Sequence, residues 1–425
     1  MSCASAGNCS AGGFYKNGPL LQQAFVVSKV NGSWHTAIEV PGTATLNQGG
    51  GAAVSSISCA SAGNCSAGGS YEDSKERGQA FVVSKVNGTW HTALQVPGTA
   101  VTSQIGQAQV LSVSCASAGN CSAGGFYGYV KDNVWRHYAF VVNEVNGTWH
   151  TATKVPGLAT LSTGVDAQVS SVSCGSAGNC SASGYYAQRS GALQAFVVNE
   201  VNGTWHTAIE VPGTATLNKD GNAWATSMSC ASAGNCSAGG HYLDGSGHWQ
   251  GFVVSEVNGT WHTAIEVPGT ATLNNGGYTG INSVSCASAG NCSAGGYYRD
   301  GALHIQAFVV SEVNGTWHTA IEVPGTATLN KDGDTRVLSM SCASAGNCGA
   351  GGFYIDYYGH WQAFVVSEVN GTWHTAIEVP GTATLNKGWH AQVNSVSCGA
   401  AGNCSAGGVY TDNSQHWQAF VVSES

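Results

Sequence analysis

The chain has 425 residues, a formal net charge of -9 and only 9% charged residues. Its 23 acidic residues outnumber its 14 Lys and Arg, which argues against a nucleic-acid partner, because such partners require clustered cations. No segment reaches the roughly 18 consecutive apolar residues of a membrane span.

One stretch of 56 residues is repeated almost eight times along the chain. Each copy carries S-C-A-S-A-G-N-C-S-A-G-G and then Q-A-F-V-V-S-E-V-N-G-T-W-H-T-A-I-E-V-P-G-T-A-T-L-N, with few changes. Six intervals between copies are 56 residues long and one is 59. This regularity predicts a single repeat domain over residues 1-425. The copies begin near Cys3, Cys59, Cys115, Cys174, Cys230, Cys286, Cys342 and Cys398.

The second copy shows the predicted elements in chain order. Residues 54–59 alternate apolar and small polar side chains and predict strand A, followed by a turn over 60–64. Residues 65–71 predict strand B, whose glycines allow a neighbouring layer to come close. Residues 79–86 are dense in β-formers and predict strand C. No convincing helical period is found.

The last strand of the copy follows the dipeptide Asn87-Gly88, a strong hairpin signal. Residues 90–96 predict strand D, which ends at a Pro-Gly pair. Alternation would place Trp90, Thr92, Leu94 and Val96 on one face of this strand.

Links A–B and C–D are short and nearly constant, whereas links B–C and D–A are long and variable. A four-stranded antiparallel unit with a long D-to-A crossing is typical of an all-β propeller. A β-solenoid is less compatible, because its repeats usually have roughly 20–30 residues. Strand D occurs seven times, so we expect eight blades, one of them three-stranded. Seven blades with an unpaired remnant is the alternative.

The cysteines form eight C-x5-C pairs, which predict one disulfide per copy and an oxidising compartment. Each bond would clamp one hairpin locally, closing a loop of about 7 residues and stabilising it by about 2 kcal/mol. Zinc would need a second Cys/His pair in each copy, so no metal and no cofactor are expected. The pairs are Cys3/Cys9, Cys59/Cys65, Cys115/Cys121, Cys174/Cys180, Cys230/Cys236, Cys286/Cys292, Cys342/Cys348 and Cys398/Cys404.

The repeat resembles secreted bacterial proteins interpreted as disulfide-clamped β-propellers, and also the HAF-type extracellular repeats. The resemblance rests on S-V-S-C-A-S-A-G-N-C at 283–292, A-G-G at 294–296 and N-G-T-W at 314–317, with Gln306 where HAF-type repeats have His. Ala287 and Ser293 depart from the proline and the aromatic residue often found there. The resemblance implies a propeller fold and export, but no catalytic residues. A signal peptide is absent from this chain and is expected to have been removed or to precede it.

Several copied residues could carry chemistry, but their regularity favours structural roles. The histidine after each strand D tryptophan could form a metal ring, and we interpret it as a half-exposed strand residue copied with its repeat. The tryptophans are expected to pack between blades, and the copied glutamates of strand D, such as Glu210, to lie on a strand face. Asn-Gly-Thr matches the glycosylation pattern, but Asn-Gly is needed for the hairpin.

Links B–C and D–A follow strands that run the same way, so they are expected at one end of each blade. Aromatic residues beside polar groups at this end suit sugar stacking or protein contact. The alternative is that they are unconstrained loop residues. The predicted ligand-binding residues are Trp135, His248, Trp249, Tyr357, His360, Trp361, Trp389, His416 and Trp417.

The leading prediction is a secreted, monomeric, non-enzymatic scaffold that binds a glycan or protein through several similar sites. One alternative is a propeller hydrolase or lyase with a site over the central channel. Another is a symmetric array, natural or engineered, without a specific ligand, since the copies diverge so little.

Overall fold

The computed structural model describes residues 1–18, 21–103, 105–162, 164 and 166–424. The fold is an all-β, eight-blade β-propeller in which each blade is one sheet with its own disulfide. The chain divides into two compact units, residues 1–211 with 232–234 and residues 212–231 with 235–425. The first unit contains blades 1–4 together with residues 232–234, which connect the first two strands of blade 5. The second unit contains the rest of blade 5 and blades 6–8.

The first unit contains four blades with short helices in the loops that leave two of them. Blade 1 comprises β1 (Ser2–Ser5), β2 (Asn8–Lys16), β3 (Gln22–Val30), β4 (Ser33–Trp34) and β5 (Ile38–Glu39), followed by α1 (Thr43–Leu46). Blade 2 comprises β6 (Ala53–Ser61), β7 (Asn64–Glu72), β8 (Gly78–Val86), β9 (Thr89–Trp90) and β10 (Leu94–Gln95). Blade 3 comprises β11 (Gly106–Ser117), β12 (Asn120–Lys131), β13 (Val134–Val145), β14 (Thr148–Trp149) and β15 (Thr153–Lys154), followed by α2 (Leu158–Leu161). Blade 4 comprises β16 (Ala167–Ser176), β17 (Asn179–Ala187), β18 (Leu193–Val201), β19 (Thr204–Trp205) and β20 (Ile209–Glu210).

The second unit begins with α3 (Thr214–Leu217) and contains the other four blades. Blade 5 comprises β21 (Ala223–Ser232), β22 (Asn235–Leu243), β23 (Trp249–Val257), β24 (Thr260–Trp261) and β25 (Ile265–Glu266), followed by α4 (Thr270–Leu273). Blade 6 comprises β26 (Gly280–Ser288), β27 (Asn291–Arg299), β28 (Ile305–Val313), β29 (Thr316–Trp317) and β30 (Ile321–Glu322), followed by α5 (Thr326–Leu329). Blade 7 comprises β31 (Thr335–Ser344), β32 (Asn347–Ile355), β33 (Trp361–Val369), β34 (Thr372–Trp373) and β35 (Ile377–Glu378), followed by α6 (Thr382–Leu385). Blade 8 comprises β36 (Ala391–Ala400), β37 (Asn403–Thr411) and β38 (Trp417–Ser423).

Each blade is an antiparallel meander in chain order, which confirms the prediction of eight blades with one three-stranded. The fourth strand differs from its prediction because it is broken into two two-residue segments that both pair with the third strand. In blade 2 the break shifts the alternation, so that Trp90, Ala93 and Val96 are buried while Leu94 is exposed. The prediction that Thr92 and Leu94 share a face with Trp90 is therefore wrong.

The P-G-T-A-T-L-N segment also differs from its prediction, because six of its copies form a four-residue helix in the described chain. At α1 the helix follows Gly42, whose φ of 87° is favourable only for glycine. The Thr43 hydroxyl, which is buried, donates to the Val40 carbonyl at 2.7 Å. No helix in the described residues is long and apolar enough to span a membrane.

The constant turns of each blade are bonded to each other, as blade 2 shows. Asn87 and Gly88 have φ values of 47° and 88°, as a type I′ hairpin requires. The Gly88 N–H donates to the Gly63 carbonyl at 2.9 Å, and the Asn87 N–H donates to the Asn64 side chain at 3.1 Å. The A–B and C–D turns therefore lie side by side, and the disulfide closes the A–B turn.

Every C-x5-C pair forms the disulfide predicted for it, and the described chain contains no free cysteine. In each blade the bond joins the end of the first strand to the start of the second, where the two cysteines are directly paired in the sheet. The bonded pairs are Cys3 with Cys9, Cys59 with Cys65, Cys115 with Cys121, Cys174 with Cys180, Cys230 with Cys236, Cys286 with Cys292, Cys342 with Cys348 and Cys398 with Cys404.

Each disulfide clamps its own hairpin as expected, and its second cysteine also lies against the preceding blade. Cys121 Sγ is 3.4 Å from the Ser66 hydroxyl, and Cys180 Sγ is 3.2 Å from the Ser122 hydroxyl. Both cysteines are buried, and so is the equivalent Cys236.

Cys404, in the three-stranded last blade, is half-buried, and it too faces the preceding blade. A Cβ on Gly349 of blade 7 would lie 3.1 Å from Cys404 Sγ. The disulfides therefore contribute to the packing between blades as well as to the hairpins.

Glycines on the second strand let consecutive blades pack closely. In blade 2 a Cβ on Gly68 would lie 2.5 Å from Val110 Cγ1 of blade 3, and a Cβ on Gly69 would clash with the Ala53 carbonyl of its own blade. Val110 is fully buried and belongs to the apolar core between these two blades. The Ser-Ala-Gly-Gly motif is thus a packing surface for the first strand of the next blade.

Polar side chains also join consecutive blades inside this core. Glu144 of blade 3 is 2% exposed and accepts hydrogen bonds from the hydroxyls of Ser66 at 2.8 Å and Ser84 at 2.6 Å in blade 2. The Trp149 indole N–H donates to Ser84 at 3.0 Å. This contact confirms the prediction that the repeated tryptophans pack between blades.

The same arrangement recurs in the second unit at Glu312, which accepts hydrogen bonds from Ser237 and Ser255. Burial raises the pKa of Glu312, although these hydrogen bonds oppose the shift. Burial likewise raises the pKa of Glu200 and Glu368.

We predict that Gly68→Ala destabilises the protein by about 1–3 kcal/mol, because a side chain there overpacks the core against Val110. The measurement is urea unfolding followed by circular dichroism. The double variant with Val110→Ala should recover part of the loss, whereas Gly301→Ala, whose Cβ would meet nothing closer than 3.7 Å, should behave like the parent. Equal stability of all four proteins would contradict the packing argument.

We predict that Glu312→Gln reduces the gain in stability that the protein shows on acidification. A raised folded-state pKa means that the folded protein binds this proton more tightly than the unfolded chain does. The contribution is complete below the ordinary value of 4.5 and is lost as pH rises through the folded value. The free energy of unfolding, measured from pH 4.5 to neutral pH, should fall less steeply in the variant. An unchanged slope would show that this carboxyl is not linked to folding.

Candidate functional site

Sequence variation collects where the third strand of one blade meets the loop before the next blade. Backbone bridges join these segments at Gln22–Gly51, Trp249–Tyr278, Ile305–Asp334 and Trp361–His390. We call each such meeting of adjacent blades a junction. The same bridge recurs at these four junctions while the side chains differ, so junctions are where the repeat can acquire distinct chemistry.

The B–C turn beside each junction in blades 5–8 is held by an aspartate. Asp356 accepts hydrogen bonds from the backbone N–H groups of Tyr358 at 2.8 Å and His360 at 3.0 Å, and from the Gln362 side chain at 3.1 Å. Burial would raise the pKa of Asp356, but these hydrogen bonds hold it below its usual value. This carboxylate therefore has a structural role. The equivalent residues are Asp244, Asp300 and Asp412.

Three of the predicted ligand-binding residues lie in stacked aromatic groups of blades 7 and 8. His360 stacks on Trp389 with ring centroids 4.8 Å apart. Trp361 stacks on Phe353 at 4.1 Å and on His390 at 4.6 Å. Trp389 is 56% exposed.

The remaining predicted residues are distributed over several blades. Trp417 meets His390 edge-on at 4.6 Å, and Trp249 lies 5.1 Å from His241. Tyr357 is 78% exposed and contacts Tyr358. His248 and His416 are exposed on the aspartate-held turns, and Trp135 lies on the longer hairpin of blade 3.

At the junction of blades 6 and 7, two arginines and two tyrosines form a row of contacts that reaches back to Tyr278, which is bridged to blade 5. The Tyr278 and Tyr297 rings are 5.0 Å apart. The Arg299 guanidinium lies 4.9 Å from the Tyr278 ring, and the Arg336 guanidinium lies 4.7 Å from the Tyr297 ring. Arg336 is also paired with Asp334 at 3.0 Å. None of these four residues is among the ligand-binding residues predicted from the sequence.

Asp334 is engaged by the Arg336 guanidinium and does not stand free as an oxygen ligand. In the described part of the chain, no group of three or more His, Cys, Asp or Glu residues could hold a metal ion. The seven histidines that follow the strand D tryptophans are all exposed, outside the short strand segments.

At the junction of blades 3 and 4, a histidine is held by a carboxylate from the next blade. His137 Nδ1 lies 2.9 Å from Asp166 Oδ1, and His137 Nε2 lies 3.1 Å from the Gln107 amide nitrogen. Tyr185 is hydrogen-bonded to the same Asp166. The Trp135 ring stacks on His137 at 5.3 Å.

The hydrogen bonds at this junction are those expected for a histidine base whose ring is oriented by a carboxylate. Burial, with a smaller contribution from Asp166, raises the pKa of Tyr185 to about 12, so its hydroxyl keeps its proton and donates to the carboxylate. With His137 Nδ1–H donating to Asp166, the lone pair lies on Nε2, facing the Gln107 amide N–H. The His137 and Asp166 side chains remain 19% and 37% exposed.

Of this group, the sequence predicted only Trp135 as a ligand-binding residue. One signal was available, since the single 59-residue interval marks this blade. The extra residues lengthen β12 and β13 to 12 residues each and place His137 where Trp249 stands in blade 5.

Other grooves are found at the opposite end of the blades. One, between blades 1 and 2, is lined by Lys29, Lys85, Trp90 and the Cys59 disulfide region. A second, between blades 6 and 7, is lined by the equivalent residues. The two grooves occupy the same repeat positions, but Lys29 and Lys85 of the first are replaced by Glu312 and Glu368 in the second.

Comparisons with known proteins find solved structures that are similar to this chain at low sequence identity. No family model matches the sequence, and no curated protein matches it. An ulvan lyase of polysaccharide lyase family PL25 is 11% identical with a TM-score of 0.47, covering 85% of this chain and 90% of the lyase. The Hadza microbial sialidase Hz136 is 11% identical with a TM-score of 0.41, covering 80% of this chain and 72% of the sialidase. A subtype N11 neuraminidase-like protein of A/flat-faced bat/Peru is 11% identical with a TM-score of 0.36, covering 73% and 86%.

These structures correct the leading functional prediction, a non-enzymatic binding scaffold. The first two are enzymes by name, whereas the prediction was a scaffold without an activity. At such identities the likeness shows the fold alone, so any argument for an activity has to come from the residues of this chain.

Proposed function

We propose that this chain is an extracellular carbohydrate-active enzyme, and that it cleaves polysaccharide by proton abstraction at the junction of blades 3 and 4. The observation that carries the proposal is the His137–Asp166 pair at 2.9 Å, with partly exposed side chains contributed by two different blades. The eight disulfides and the resemblance to HAF-type extracellular repeats support the location.

In a base-catalysed elimination, each residue of the junction would have its own role. Asp166 orients the His137 ring, and a substrate that displaces the Gln107 amide would face the Nε2 lone pair. Nε2 would take the proton from the carbon next to an acidic group of the sugar. The electrons of that C–H bond form a C=C bond, the C–O bond to the leaving sugar breaks, and solvent protonates the leaving oxygen.

The chemistry of this junction favours elimination over hydrolysis. Glycoside hydrolases usually need two carboxyl groups on either side of the scissile bond. Asp166 is the carboxylate that contacts His137, and Tyr185 and His137 already engage it. Trp135 is 42% exposed and stacked on His137, a position from which its ring can pack on a sugar beside the base.

We predict that His137→Gln lowers kcat on a cleaved polysaccharide by about 100-fold or more, because it removes the general base. Asp166→Asn should also lower kcat, with little effect on KM, because it releases the ring orientation. The assay uses a panel of uronate-containing, sialylated and neutral polysaccharides, with ultraviolet absorbance of unsaturated products and reducing-end formation measured in parallel.

The control variant is His318→Gln, which changes an exposed copied histidine and should retain full activity. Reducing ends without an unsaturated product would indicate a hydrolase and contradict the elimination step. Activity that survives in His137→Gln would exclude this junction as the catalytic site.

A further inference from the structure

We propose that the junction of blades 6 and 7 is a binding site for a carboxylate-bearing sugar, and that Arg299 and Arg336 provide its cationic groups. The four side chains contact one another in the order Arg299, Tyr278, Tyr297, Arg336. This site stands apart from the proposed catalytic residues and is argued from its own contacts.

The buried Nε–H group of Arg299 has no hydrogen-bond acceptor. Its Nε is buried and has no hydrogen-bond partner, which is costly for a charged group unless a ligand supplies an acceptor. Its side chain packs over Gly276, where a Cβ would lie 2.4–2.6 Å from Arg299 Cγ and Cδ, so glycine makes room for the arginine. The adjacent Asp300 does not supply this acceptor, since its oxygens accept hydrogen bonds from its own turn and from Gln306.

Arg336 is only partly engaged by its own carboxylate. Its Nε and Nη2 donate to Asp334 at 3.0 Å and 3.1 Å, so the guanidinium still has N–H groups for another acceptor. Its side chain is 26% exposed and can be reached from solvent. Arg299 and Arg336 thus bring two guanidinium groups to one place, and only Arg336 is paired with a carboxylate there, in a chain whose net charge is -9.

The tyrosines favour a sugar over a simple anion. Tyr278 is half-buried, and Tyr297 is buried and hydrogen-bonded to Tyr278. Burial raises the pKa of Tyr297 far above its usual value, so its phenol stays neutral and can donate a hydrogen bond. Gly280 replaces a larger residue found at this position in other blades, such as Trp224 or Arg336, and faces the Tyr297 hydroxyl.

Guanidinium groups pair with planar carboxylates through two parallel hydrogen bonds, which a neutral sugar cannot accept in the same way. Aromatic faces next to such cations suit the apolar side of a pyranose ring. A uronate or another acidic sugar combines both features, and we therefore assign it as the ligand class.

The experiment is calorimetric and NMR titration of the full chain with glucuronate, with glucose and sulfate as comparison ligands. Glucuronate should bind, glucose should not bind measurably, and sulfate should bind more weakly. Arg299→Gln should weaken glucuronate binding about tenfold or more. Arg189→Gln, which changes an arginine outside this junction, should leave it unchanged.

Asp334→Asn is expected to strengthen binding, and a variant that fails to fold cannot give that result. Because Asp334 competes for Arg336, its neutralisation should strengthen glucuronate binding severalfold, whereas Arg336→Gln should weaken it. No binding by the parent protein, equal binding of sulfate and glucuronate, or weaker binding by a folded Asp334→Asn would each overturn the assignment. Since the readout is binding and not turnover, the result does not depend on whether His137 is catalytic.

Discussion

Consecutive blades can pack closely because one position of the second strand is a glycine, which has no side chain. The first glycine of the Ser-Ala-Gly-Gly motif, Gly68 in blade 2, faces a buried valine of the next blade at a distance that admits no Cβ. Around it, tryptophan, serine and a buried glutamate link the same two blades by hydrogen bonds. A chain with so few charged residues thus places some of its carboxylates in the core between blades, where hydroxyls of the preceding blade donate hydrogen bonds to them.

This interface is copied with little change, and that constancy makes departures from it informative. The repeated residues account for the disulfides, the turns, the core and the aspartate-held loops of blades 5–8. The junctions carry different side chains at each blade pair, and four of them share the same backbone bridge. His137 with Asp166, and Arg299 with Arg336 and two tyrosines, are two such departures, each built from residues of neighbouring blades.

The sequence allowed most of the fold to be predicted, because every repeat supplied the same evidence again. The antiparallel strands, the Asn-Gly hairpins, the eight disulfides and the three-stranded last blade are found as expected. Strand D was predicted incorrectly, since alternation gives no sign that the chain leaves the sheet after Trp90 and re-enters at Leu94. The one-turn helices were missed because four residues are too few to show a helical period. The spacing of the cysteines predicted their pairing but not the contact of Cys121 with Ser66 of the preceding blade.

The candidate sites were predicted less well, and the reason is geometric. Composition identified the variable loops and residues such as Trp361 and His360, but it ranked aromatic residues by frequency and not by their neighbours. Which side chains meet at a junction depends on how adjacent blades are placed against each other. This placement brings Asp166 into contact with His137, although the two are 29 residues apart in sequence, and it brings Arg336 over the Tyr297 ring. The repeat pattern by itself determined the blades, because local alternation, turns and disulfides are short-range properties of the chain. Only the tertiary structure decided which unlike residues are neighbours, because that contact is made between blades and leaves no periodic signal.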